Sequence, residues 1–135
     1  MTSMSLAQSY LAKAQARAGI LKFLQDAKDY SDVVREAQEI VELCLKGMLR
    51  CVGIEPPKWH DVGPLLIEYH SKFPSLDQET IERLAKISAY LRKEREIAFY
   101  GDSDFIPSEE YQKEDGQGAM DDALWTFATA RSIIR

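Results

Sequence analysis

Apolar residues recur at three- and four-residue steps along almost the whole chain, and no stretch sustains two-residue alternation, so the pattern predicts helices and no sheet. The clearest stripe is Val33, Ala37, Ile40, Val41, Cys44, Leu45, Met48, Leu49 and Val52, which paints one broad face of a second helix. Asp29 or Ser31 can cap its start, and Gly53 offers the left-handed residue that stops it. Ahead of it, residues 3–28 read as a first helix carrying Leu6, Tyr10, Leu21 and Leu24 among many alanines, which are small enough to let helices approach closely.

Past Gly53, the adjacent Pro56 and Pro57 remove backbone donors and restrict their neighbours, so the chain leaves helical geometry there. Asp61 reads as the N-cap of a short third helix through Lys72, with Pro64 tolerated in its first turn and Phe73-Pro74 ending it. A fourth helix follows Asp77 and runs to Gly101, with Ile81, Leu84, Ser88, Leu91 and then Arg95 on one stripe. The polar stretch from Asp102 to Gln117, punctuated by Pro107, Gly116 and followed by Gly118, reads as a loop. A fifth helix is expected from Ala119 to Arg135, its apolar positions including Ala123, Leu124, Phe127 and Ile134. Five helices with short connections predict an all-α, up-and-down, mainly antiparallel bundle.

A length of 135 residues suits one domain with a real core, and a hydrophobic fraction of 45% against 29% charged excludes a disordered chain. No run approaches the roughly 18 consecutive apolar residues of a membrane span, and Met1 to Gln15 lack a basic region followed by an apolar stretch. The expectation is a cytoplasmic protein with no membrane partner. Cys44 and Cys51 stand seven residues apart on one helix, about 10 Å along its axis, too far for a disulfide.

The net charge of −5 is unevenly placed. Eight acids between Asp102 and Asp122 face only Lys113, a local −7 that leaves +2 for the rest of the chain. That balance argues against the broad basic footprint of a duplex-binding protein, while leaving room for a local basic cluster.

Arg95 is the first candidate for chemistry. It continues the apolar stripe by four residues from Leu91, so its stem points toward packed surface while its guanidinium needs an acceptor. Arg92 and Lys93 make the same helix end basic. Helix-dipole complementarity, with an ion pair to Glu96 or to the acidic segment, explains this as well as anion binding does. Tyr100 lies where the helix should end. With an ordinary phenol pKa near 10 it is a poor base, and a packing role competes with phosphate donation. His60 and His70, with no cysteine pair near them, do not form a recognisable metal site, and His60 reads as a hydrogen-bonding residue at a helix entrance. No phosphate-binding glycine loop, nucleophile elbow, zinc helix motif or calcium loop occurs, and no cofactor is implied.

The run EAQEIVELCLKGMLRCVGIEPPKWHDVGPLL, from Glu36 to Leu66, resembles the HEPN family, whose helix bearing A-Q-x-x-x-E-x-x-x-K leads into a G-I-x-x-P-K-x-H-D connection. Ala37, Gln38, Glu42, Lys46, Gly53, Ile54, Pro57, Lys58, His60 and Asp61 match it, and Leu65 and Leu66 extend the match. The stretch LRKEREIAFYGD, Leu91 to Asp102, falls where the family carries its functional motif, and the resemblance covers nearly the whole chain. It implies a helical bundle that forms a homodimer and acts with a minimal nucleotidyltransferase partner, many members being toxins of toxin–antitoxin systems that cleave RNA without metal. Their motif is an arginine, a polar residue, a short spacer and a histidine.

Arg95 and Glu96 match the start of that motif, but Tyr100 stands where the histidine belongs and no histidine follows. An imidazole exchanges protons near neutral pH, whereas a neutral phenol does not do so readily. The resemblance therefore points to nucleotide or RNA binding by Arg92, Arg95 and Tyr100, with Gln38, Lys46, Lys58, His60 and Asp61 as the structural part of the motif. Two alternatives stay open: metal-independent RNA cleavage using Arg95, Glu96 and Tyr100, and a non-catalytic protein-interaction module.

Overall fold

The computed structural model describes residues 2–58, 61–99 and 106–135, apart from the side chains of residues 2, 3, 96 and 99. Its helices are α1 (Thr2–Asp26), α2 (Tyr30–Cys51), α3 (Gly63–Glu68), α4 (Gln78–Phe99), α5 (Pro107–Glu110) and α6 (Lys113–Ile133), with a 3-10 turn at His70–Lys72. No strand occurs among the described residues, so the all-α bundle expected from the hydrophobic period is the fold. No helix among them is long and apolar enough to cross a membrane.

The centre of the bundle is α2. Its stripe is wide enough to face several neighbours: Val33, Ala37, Ile40, Cys44, Leu45, Met48 and Leu49 are all fully buried. Each large aliphatic side chain so buried contributes about 1.5–3 kcal/mol. Helix α1 packs along one side of α2, α4 along another, and α6 covers α2 while touching α1 less extensively. Helix α3 packs on α4.

The α1 stripe is not the one its large residues suggest. Ala7, Ala14 and Leu21 are fully buried, with Leu11 and Ala18 half-buried between them, a strict alternation of four- and three-residue steps. Leu6 is 36% exposed and Tyr10 only half-buried. On α6 the matching buried positions are Gly116, Ala119, Ala123, Thr126 and Ala130. Small residues at this spacing allow close packing at shallow crossing angles. Gly47 of α2 takes part: a Cβ there would lie 3.0 Å from Ile134 Cδ1 and 3.4 Å from the Ala7 carbonyl oxygen.

The chain ends α1 and α2 in the same way. At α2, the Ile54 N–H donates to the Leu49 carbonyl at 2.9 Å, and Gly53 takes the left-handed conformation (φ 83°) as expected. At α1, the Asp29 N–H donates to the Leu24 carbonyl at 2.9 Å, but the left-handed residue is Lys28 (φ 63°). The first helix therefore stops at Asp26 rather than Lys28. Neither Asp29 nor Ser31 caps α2 through its side chain; Asp29 is the N-cap residue, and the Ser31 hydroxyl lies 3.4 Å from its carboxylate.

Two further expectations are corrected. The third helix ends at Glu68, and the chain then tightens into the 3-10 turn, where His70 Nε2 bonds the Leu76 carbonyl at 2.8 Å. The last helix begins at Lys113, six residues before Ala119, so the expected loop contains both α5 and the first turn of α6. A capping box is the cause: the Gln112 N–H donates to Asp115 Oδ2 at 2.7 Å, and the Gln112 side chain accepts from the Asp115 N–H. Gly116 inside this helix packs closely on α1 and the start of α2: a Cβ there would displace the Gln25 side-chain amide and lie 3.1 Å from Tyr30 Cδ1. Of the apolar positions of this helix Leu124 is 42% exposed, while its neighbours Ala123 and Thr126 are buried.

Candidate functional site

The candidate site is built where the C-terminal half of α4 lies against the middle of α2. Asp77 starts α4 by accepting the Thr80 N–H at 2.8 Å, and its stripe of Ile81, Leu84, Ser88 and Leu91 is buried. This fixes the rotation of the helix, and one turn beyond Ser88 the same face turns charged. Arg92 Nη1 bonds Glu42 Oε1 at 2.9 Å, and Arg95 Nη2 pairs with Glu39 Oε1 at 2.5 Å. Both arginines thus lean on carboxylates of α2, three residues apart on each helix. Glu39 is an acceptor for Arg95 that spacing along α4 alone cannot reveal, while of the expected acceptors the Glu96 side chain and the start of the acidic segment lie outside the described residues.

Glu42 gathers three donors. Besides Arg92 it accepts from Gln38 Nε2 at 3.2 Å and lies 3.6 Å from Lys46 Nζ. Lys46 also reaches the Lys58 carbonyl at 3.3 Å, tying α2 to the proline connection. Gln38, Glu42 and Lys46 are spaced at four residues, so they stack along one face of α2. Asp61 links the other end of the connection to α4: its Oδ1 accepts the Gly63 N–H at 3.0 Å and the Ser88 hydroxyl at 2.6 Å. Asp61 thus stands one residue ahead of the N-cap position, Val62, yet still satisfies a first-turn donor.

The family model of the HEPN domain matches residues 7–132. The chain belongs to the HEPN domain family. No curated protein and no solved structure matches it. The family suggests a nucleotide- or RNA-related function.

Of the motif residues, Gln38 and Lys46 bond Glu42 within α2, Lys46 reaches the Lys58 carbonyl of the connection, and Asp61 bonds Ser88 of α4. His60 and Tyr100 lie outside the described residues, as does the side chain of Glu96. The structure therefore brings together Arg92, Arg95, Gln38 and Lys46, with Lys58 contributing its backbone carbonyl and Asp61 acting through Ser88.

The electrostatic setting differs between the two arginines. The carboxylate of Glu42, its side chain 22% exposed, is shared among three donors, so the loss of any one leaves it two. Arg95, with a side chain 38% exposed, has a partner from which it can be drawn away, since ion pairs at such exposure contribute only about 0.2–1 kcal/mol. A planar guanidinium so placed can exchange one anion for another in the same fork of donors.

The surroundings complete the setting. Tyr111, buried just before α6, donates its hydroxyl to Glu94 Oε1 at 3.0 Å, and burial, followed by this carboxylate, raises its phenol well above the ordinary range. It is a fixed structural donor, not a proton shuttle. Across the other flank of α2, Arg17 Nη1 bonds Glu36 Oε1 at 2.6 Å, and that hydrogen bond raises the guanidinium pKa further. Cys44 and Cys51 are both free; burial pushes the Cys44 thiol up to about 12, so it is an inert core group. Among the described residues, no group of histidine, cysteine and carboxylate side chains could hold a metal ion.

Proposed function

We propose that this HEPN protein binds RNA or a nucleotide through its phosphate at Arg95, with Arg92 and Tyr100 as further binding residues, and that it does so without cleaving the ligand. The observation that carries this reading is the pairing of Arg95 with Glu39: a half-exposed guanidinium oriented by a carboxylate that an incoming phosphate can replace. Tyr100, in the position of the family's histidine, supports binding over catalysis, because a phenol donates or stacks more readily than it accepts a proton at neutral pH.

The test is a titration of fluorescently labelled single-stranded RNA at fixed salt. Arg95→Ala should weaken binding about tenfold, the loss of one charge-assisted fork. Glu39→Gln should tighten it a few-fold by removing the competing carboxylate. Unchanged affinity in Arg95→Ala would remove the site assignment.

The same reading makes the protein a homodimer working with a minimal nucleotidyltransferase in a toxin–antitoxin-type system. Self-association is supported by the apolar residues that α1 leaves outside, Ile20 at 42% and Phe23 at 71% exposure. Light scattering on Phe23→Asp, and co-purification with the product of a neighbouring nucleotidyltransferase gene, test these two parts separately.

A further inference from the structure

Helix α1 has an uncovered face roughly opposite its buried stripe of Ala7, Ala14 and Leu21. Ala12, Ala16, Gly19, Ile20, Phe23 and Ala27 share that face, and all six are exposed. None carries a charge, in a chain of which 29% is charged.

Three features of the face belong together. The first is a hollow of about 410 Å³ lined by Lys13, Ala16, Arg17 and Ile20. These stand at positions i, i+3, i+4 and i+7, the four that frame the hole into which a side chain of a facing helix inserts. The second is a knob: Phe23, one turn beyond the hollow, is 71% exposed, so most of its ring has no partner within the chain. The third is Gly19. Glycine is less favourable in a helix interior than every residue but proline, yet no atom lies within 4 Å of where a Cβ would stand here. Packing within one copy therefore does not call for it, whereas close approach of another backbone does.

We infer that this face takes a second copy of the chain, α1 against α1 in antiparallel order about a two-fold axis beside Gly19, with Phe23 of each copy seated in the hollow of the other. Gly19 stands three residues after Ala16 and four before Phe23, so an axis there brings each knob level with the opposite hollow. Knob and hollow thus match within one surface, which an isologous dimer requires and an unrelated partner does not. Two cations border the incoming ring: Arg17, whose Nη1 is held by Glu36 Oε1 at 2.6 Å, and Lys13, which forms no ion pair among the described residues. One helix from each copy makes a contact at the small end of specific interfaces, so the dimer dissociates in the micromolar range. The inference rests on the self-association reading and assigns it a face and an orientation.

Sedimentation equilibrium of the full chain over a concentration series tests the dimer, with Tm of the dilute chain as the measure of fold. Gly19→Leu should raise Tm, since leucine favours the helix and meets open space, and should weaken the dimer about tenfold or more. Ala16→Leu, which fills the hollow, should weaken it similarly, while Ile67→Asp, at an exposed apolar residue of α3, should leave it unchanged. Under mild oxidation, Ile20→Cys, beside the axis, should link two copies more than the parent chain does. Ala27→Cys should not, because its two copies would lie about 20 Å apart along the helices. Linkage at both positions means a parallel pair and overturns the inference. A dimer that survives Gly19→Leu and Ala16→Leu overturns this face alone, whereas a parent chain that stays monomeric at every concentration removes the self-association reading as well.

Discussion

The two flanks of α2 are held by different physics. Toward α1 and α6 it meets small residues at three- and four-residue steps, Ala7, Ala14, Ala123 and Ala130, all fully buried, and Gly47 lets the helices close. Toward the end of α4 it meets charge: Glu39 and Glu42 hold Arg95 and Arg92 in side chains that remain 21–38% exposed. At its centre the first contact is dry, with the Arg17–Glu36 pair at its edge, and the centre leaves no room for rearrangement, because close-packed interiors respond to a change of a single methylene. The second is made of partners that can be exchanged for solvent or ligand at a cost of about 1 kcal/mol. Stability and adaptability are thus separated on opposite sides of one helix.

The comparison can be broken most severely from the buried stripe of α2. Leu45→Ala removes a fully buried side chain and should cost about 2–5 kcal/mol in urea or thermal unfolding, with RNA affinity unaltered in the fraction that remains folded. Arg92→Ala, on the charged side, leaves Glu42 with Gln38 and Lys46, so its cost should be about 1 kcal/mol. If Arg92→Ala were as costly as Leu45→Ala, the charged flank would be a rigid part of the core and the distinction would fail.

The smallest effect concerns the start of α2. Desolvation, then the hydrogen bond and charge of Asp29, push the Asp32 carboxyl up to about 6 from its ordinary 3.8. A raised carboxyl binds its proton more tightly in the folded protein, so its contribution to stability is fully present below about pH 4 and is lost as pH rises through about 6. Asp32→Asn should therefore raise Tm slightly at pH 8 and make no difference near pH 3.5. A larger gain at low pH would contradict the sign.

Much of the fold was legible because the apolar period of α2 and α4 is set by their own large side chains. Val33 through Leu49 and Ile81 through Leu91 could be placed on buried faces without knowing their neighbours. The α1 face was harder to read, since alanine carries little hydrophobic signal and Leu6 looks more like a core residue than Ala7 does. The early start of α6 was hidden by Gly116 and Gly118, which suggest a loop until the side chain that fills the space beside Gly116 is known. At the candidate site, Arg92 and Arg95 could be singled out from their position on α4. Their acceptors could not, because Glu39 and Glu42 lie some fifty residues earlier in the chain.

The sequence by itself determined a helical bundle, the left-handed stop at Gly53, and membership of the HEPN family through the residues from Glu36 to Leu66, because these depend on local conformational preference and on the identity of side chains in order. Only the tertiary structure decided that Ala7 and Ala14 join Leu21 on the buried face of α1 while Leu6 stays partly outside, that Glu39 holds Arg95, and that Lys28, Lys113 and Gln25 line one cavity. These depend on distances between helices, which packing sets and local sequence does not encode.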